Sequence, residues 1–67
     1  MLLSAKEQKE LNKANELMNK ALKLIYKVVD SNKDFHYGCQ SLPIQSRLEG
    51  SISQLECVEG IQKISDL

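Results

Sequence analysis

The chain has little of what catalytic, metal-binding and disulfide-stapled proteins need. Its 67 residues include two cysteines and one histidine. Cys39 and Cys57 lack metal-ligand spacing, and His36 alone cannot complete a zinc site with them, so no metal and no cofactor is expected. If Cys39 lies in a loop and Cys57 well into the next helix, roughly 20 Å separates them at ~1.5 Å per residue, too far for an intramolecular bridge. Both are expected to be free thiols. The sequence also lacks a G-x-S-x-G element, a glycine-rich phosphate loop, an H-E-x-x-H pair and any spaced pair of catalytic carboxylates. His36 and Cys39 could supply a base and a nucleophile, but a domain of this size offers little concave volume for a substrate. The reading is therefore non-enzymatic, with no catalytic residue assigned.

Other absences bear on partners and location. No apolar run approaches the length of a membrane span. Met1-Leu2-Leu3 runs straight into Ser4-Ala5-Lys6-Glu7 without a basic segment preceding an apolar one, which leads to an expectation of a cytoplasmic protein. Formal net charge is zero, although six lysines against four acids fall in residues 1–30 and two basic residues against four acids in 41–67. Halves of opposite sign favour their own association, whereas a nucleic-acid footprint needs a basic face in net excess. A core this small supplies only ~3–5 kcal/mol, which suits a domain completed by a partner.

What is present is helical pattern. Ser4-Ala5-Lys6-Glu7 has the form of a capping box, with the Ser4 hydroxyl and the Glu7 carboxylate each meeting the other's backbone N–H, so a helix is expected from about residue 5. At ~100° per residue, Leu11, Ala14, Leu17, Met18, Ala21, Leu22, Leu24, Ile25, Val28 and Val29 fall within one arc of about 160°. Lysines fill much of the remainder, and Glu16 to Lys20 adds an (i, i+4) pair. The arc is wider than one neighbouring helix requires, so the first helix is expected to touch more than one. Glu7 and Glu10 interrupt it, which suggests that the N-terminal end frays or extends beyond the main packing surface.

Asp30-Ser31-Asn32-Lys33-Asp34 breaks the period, and Gly38 and Pro43 punctuate the next ten residues. A loop is expected at about 31–40. Ser41 is a candidate N-cap, and Pro43 is tolerated in the first turn of a second helix running toward residue 65. The fold expected is an all-α, single-domain antiparallel two-helix hairpin over about 5–30 and 42–65, completed by a partner or by homodimerisation into a four-helix arrangement. Phe35, His36 and Tyr37 put aromatic character into the loop, either as anchors for a partner or as a cover for the open end of the hairpin.

The second helix raises a question of its own. Ile44, Leu48, Ile52 and Leu55 form one stripe, but Cys57, Ile61 and Ile64 project to nearly the opposite side, with Val58 off both. Supercoiling drifts only ~20° per heptad and cannot produce that change. Either Gly60 bends the chain and folds its apolar end back onto the first helix, or the three residues form a second face for another chain.

Leu48-Glu49-Gly50-Ser51-Ile52-Ser53-Gln54-Leu55, with Val58 after it and Tyr37 before it near the turn, resembles the second helix of the small helical-hairpin cochaperones of type III secretion systems. The resemblance implies a cytoplasmic module that stabilises a tetratricopeptide-like, helical-repeat chaperone and helps keep the needle subunit unpolymerised before export. On that reading the partner-binding residues are Met18, Leu22, Ile25 and Val29 on the first helix, with Cys57, Ile61 and Ile64 on the second. Two other readings stay open. One is a homodimeric four-helix-bundle regulator whose lysines could meet nucleic acid; the other is a phage or plasmid accessory inhibitor.

Overall fold

A computed structural model describes residues 3–32, 34–35 and 41–65. The chain is an all-α hairpin of two helices, α1 (Ala5–Ser31) and α2 (Ser41–Glu56). Its long dimension of 44 Å matches the ~40 Å expected of a 27-residue helix at ~1.5 Å per residue. The sixteen residues of α2 leave α1 the longer by several turns, and the stretch after α2 runs back along that excess.

The start of α1 is built as its sequence specifies. The Glu7 amide donates to Ser4 Oγ at 3.1 Å and the Ser4 amide donates to Glu7 Oε1 at 2.8 Å, closing both halves of the capping box. These bonds to the Ser4 backbone and hydroxyl hold the Glu7 carboxyl below its ordinary range. The first turn is therefore capped. At the other end the Ser31 hydroxyl donates to Lys27 O and the Asn32 amide to Val28 O, after which extended backbone at Asn32 ends the helix. Residues 34 and 35 are again helical, inside the expected loop. There the Asn32 side chain accepts the Phe35 amide at 3.1 Å, and Phe35 is half-buried. His36, Tyr37, Gly38 and Cys39 lie outside the described residues.

Register and direction are set by hydrogen bonds between side chains. Asn15 meets Glu56 and Tyr26 meets Glu49, so residue numbers rise on α1 as they fall on α2 and the helices run antiparallel. Between those two pairs sits the small core, Leu22 with Ile52.

The expected second helix is too long by nine residues. α2 ends at Glu56, not near 65. Its last turn tightens through Cys57 N–H to Gln54 O and Val58 N–H to Leu55 O, and a turn then closes from Ile61 N–H to Val58 O. Gly60 occupies the third position of that turn with φ of 93°, the position where a type II turn requires a positive φ. A side chain there would also strike Gln8, whose Cδ lies 2.9 Å from where a Cβ would be. The remaining residues, 61–65, run without helical structure along α1. This answers the change of face: beyond Glu56 there is no helix, so Cys57, Ile61 and Ile64 share no helical face. Ile61 turns inward and is buried, whereas Cys57 and Ile64 are exposed.

Candidate interaction surface

The two apolar stripes do not meet centre to centre. On α1 the buried positions are Asn15 and Leu22, and the half-buried ones include Asn12, Asn19 and Tyr26 along with Leu11, Met18, Ile25 and Val29. The seam is thus displaced from the middle of the apolar arc toward its polar edge. On α2 the same holds: Ile52 and Glu56 are buried and Gln45 and Glu49 half-buried, while Ile44 is 41 % exposed.

The cause of the displacement is a polar network. Glu56 Oε2 accepts Asn15 Nδ2 at 2.7 Å and the Ile64 and Ser65 amides at 3.2 Å each. Asn15 Nδ2 also donates to Gln62 O at 3.2 Å, and the Gln62 amide donates to Asn12 Oδ1 at 2.9 Å. Asn19 Nδ2 donates to the Asn15 carbonyl and to Asn15 Oδ1, which orients the amide that reaches Glu56. Further along α1, the Tyr26 hydroxyl donates to Glu49. Donation from Asn15, reinforced by the backbone amides of Ile64 and Ser65, holds the Glu56 carboxyl below its ordinary range against the opposing effect of desolvation. Burying a carboxylate without such partners is strongly unfavourable. Rotating α1 to centre its leucines on α2 would break these bonds, so the network sets the rotation of the hairpin. An asparagine at a single buried position can fix register in this way in paired helices.

The displacement divides the apolar arc of α1 in two. Met18, Leu22, Ile25 and Val29, the residues expected to meet a partner, lie on the half that α2 occupies: Leu22 is 3 % exposed and the other three are half-buried. The open half is Leu17, Ala21, Leu24 and Val28, with Leu17 at 55 %, Leu24 at 62 % and Val28 at 46 %. Of the second expected patch, Ile61 belongs to the internal packing of the tail, and Cys57 and Ile64 stand apart from the open stripe. The signal that sequence reasoning passed over was polar. Asn12, Asn15, Asn19 and Tyr26 succeed one another at spacings of three, four and seven along the edge of the arc, and an apolar projection gives them no weight.

With the half-buried Ala14 before them, the open residues keep a strict heptad of their own. Ala14, Leu17, Ala21, Leu24 and Val28 alternate by three and four, the spacing of a seam for a further helix. A shallow groove beside it is lined by Lys20, Lys23, Leu24 and Lys27. A second concavity lies toward the N-terminal end of α1, where Lys6, Glu10, Lys13 and Gln62 are among its lining residues. Among the described residues no three His, Cys, Asp or Glu side chains are placed to hold a metal ion, and no helix is long and apolar enough to cross a membrane. No known protein family, curated protein or solved structure matches the chain.

Proposed function

We propose that the chain is a non-enzymatic protein-interaction module that docks another helical protein onto the outer stripe of α1. The observation that carries this reading is the exposure of Leu17, Leu24 and Val28 in one heptad-spaced row. An apolar row of this kind, continuous over several turns, marks an association site more often than a solvated surface. The hairpin leaves it open because its own hydrogen bonds hold α2 on the opposite side of the arc.

The finer reading is a cytoplasmic type III secretion cochaperone that stabilises a helical-repeat chaperone and keeps the needle subunit unpolymerised. Its support is the resemblance at Leu48, Glu49, Gly50, Ile52, Leu55 and Val58, together with the hairpin shape. Within this chain Ile52 is buried, Leu48 and Leu55 are half-buried, and Glu49 accepts a bond from Tyr26. Internal packing thus accounts for most of that motif, and the open stripe lies outside it.

The test compares the tagged wild-type chain with the Leu17→Asp/Leu24→Asp double variant in capture from the native cytoplasm, with native mass spectrometry of what elutes. A stoichiometric helical partner held by the wild type and lost by the double variant is the expected result; an export chaperone and its substrate in that complex would favour the cochaperone reading. Equal capture by both proteins would remove the stripe as the docking site. A dimer abolished by the double variant would make a second copy the partner and favour the homodimeric bundle.

A further inference from the structure

Resting on the reading of the α1 stripe as a docking site, we infer that its occupant is an acidic amphipathic helix. With Ala14, Leu17, Ala21, Leu24 and Val28 as the a and d positions of the open seam, the g positions are Lys13, Lys20 and Lys27. All three are exposed, and none forms an ion pair with another described residue, so the pair expected between Glu16 and Lys20 is not formed. On the other edge of the seam the e positions are Leu11, Met18 and Ile25, half-buried toward α2. A helix lying along the stripe thus meets a row of three unpaired ammonium groups on one flank and apolar surface on the other. The g row of a coiled coil selects the charge of the partner, and complementary charge sets partner choice and encounter rate. The row fits a helix with leucine-like residues at alternating spacings of three and four and glutamate or aspartate on the flank facing Lys13, Lys20 and Lys27. From Ala14 to Val28 the seam runs about 21 Å at ~1.5 Å per residue, the length of some four helical turns.

A second copy of the chain is a poorer fit. Antiparallel pairing of two α1 stripes sets g against g, so the lysine rows face each other. Parallel pairing sets them against Met18 and Ile25, with no carboxylate to receive them. The acids of the described α2 do not supply one either, because Glu49 is bound to Tyr26 and Glu56 is enclosed by Asn15 and the tail amides. The acids nearest the seam on α1 are Glu10, at its N-terminal end, and Glu16, behind the lysine row; neither forms a row of its own.

The experiment uses the full chain and two designed three-heptad peptides with leucine at every a and d position, one bearing glutamate and the other lysine at every e and g position. Binding is read by fluorescence anisotropy at low and high salt, with sedimentation to record the state of the chain. The glutamate peptide is expected to bind at least about tenfold more tightly than the lysine peptide at low salt, with the difference shrinking at high salt as charges are screened. Lys20→Glu/Lys27→Glu should reverse the preference, and Leu24→Asp should abolish binding of both peptides while the circular dichroism of the chain stays unchanged. Equal binding of the two peptides, lost on Leu24→Asp, would overturn the charge selection and leave the docking site standing. If a monomeric chain binds neither peptide, the docking site and its acidic occupant fall together. A dimer that dissociates on Leu24→Asp would overturn the acidic helix in favour of a second copy.

Discussion

The two halves of the apolar arc on α1 have similar composition and opposite fates. Met18, Leu22, Ile25 and Val29 are covered by α2, whereas Leu17, Ala21, Leu24 and Val28 are open. Hydrophobicity does not separate them, since each half contains leucine and valine at heptad spacing. What separates them is the neighbour on the outer edge: asparagine and tyrosine beside the covered half, lysine beside the open one. Asn15 and Tyr26 find carboxylates on α2, and the lysines find none. In a core this small, a few buried hydrogen bonds are worth as much as the placement of a leucine, and here they select which half is used.

Substitution should expose that difference most plainly in the core. Leu22→Ala or Ile52→Ala removes a side chain that is 3 % or 0 % exposed and should destabilise the hairpin by about 2–5 kcal/mol, enough to unfold a domain this size. Leu24→Ala on the open half should stay within about 0.5 kcal/mol. Urea denaturation of the isolated chain reads both, and equal losses on the two halves would erase the distinction. The same contrast means that Leu22→Asp would report on folding, not on partner binding.

Next in size is the network that sets the rotation. Asn15→Ala leaves the enclosed Glu56 carboxylate without its shortest bond and should cost about 1–3 kcal/mol, with the Ile64 and Ser65 amides exchanging faster as the tail loosens. An unchanged midpoint and unchanged exchange would show that Asn15 does not hold the tail, leaving that to Ile61, to Asn12 and to the bonds of Glu56 with the tail amides. Gly60→Ala forces a left-handed residue to carry a side chain against Gln8, which should cost about 1–2 kcal/mol and act on the same tail. Smaller again, Ser4→Ala removes the cap of α1 for about 1 kcal/mol, seen as a lower melting temperature with the hairpin intact.

Acid should act on the network in a definite direction. Folding holds the Glu56 and Glu7 carboxyls below their ordinary values, so protonation favours the unfolded chain. Their contribution is complete at neutral pH and is lost as pH falls through the folded-state values. The Tyr26 hydroxyl titrates the other way. Its donation to Glu49, then desolvation and the nearby charge, raise it, so its contribution is complete at neutral pH and fades as pH rises beyond the ordinary tyrosine range. A pH titration of the melting temperature should therefore fall at both ends. Asn15→Ala should flatten the acid limb, and Tyr26→Phe the alkaline limb.

Much of this fold was legible in the sequence. Ser4 and Glu7 specified the start of α1, the polar run from Asp30 marked its end, and the stripe of Leu48, Ile52 and Leu55 announced a partner helix. The arc was also visibly wider than one helix covers, and Leu17, Leu24 and Val28 are the part left exposed. Two things were not legible in an apolar projection. The rotation of the helices depends on Asn15, Asn19, Tyr26, Glu49 and Glu56, whose partners across the hairpin are remote in sequence, so periodicity could not pair them. The end of α2 at Glu56 depends on the turn at Gly60 and on tail amides donating to a carboxylate, and a helical projection continued past it instead assembles a face from Cys57, Ile61 and Ile64 that the chain does not have. Gly60 was the available sign, and the reading in which it folds the apolar end back onto the first helix is the one Ile61 follows, although α2 stops four residues before it.

The central claim is that α2 covers one half of the arc and leaves the other to solvent, and thiol reactivity tests it directly. In a cysteine-free background made by Cys39→Ser and Cys57→Ser, a single cysteine is introduced by Leu22→Cys or by Leu24→Cys, and the rate of labelling is measured on the monomeric chain. The account predicts that the thiol at 24 reacts nearly as fast as in denaturant and the thiol at 22 at least about a hundredfold more slowly, as a core position open only through unfolding should. A protected thiol at 24 with a reactive one at 22 would place α2 on the other half of the arc and contradict the account.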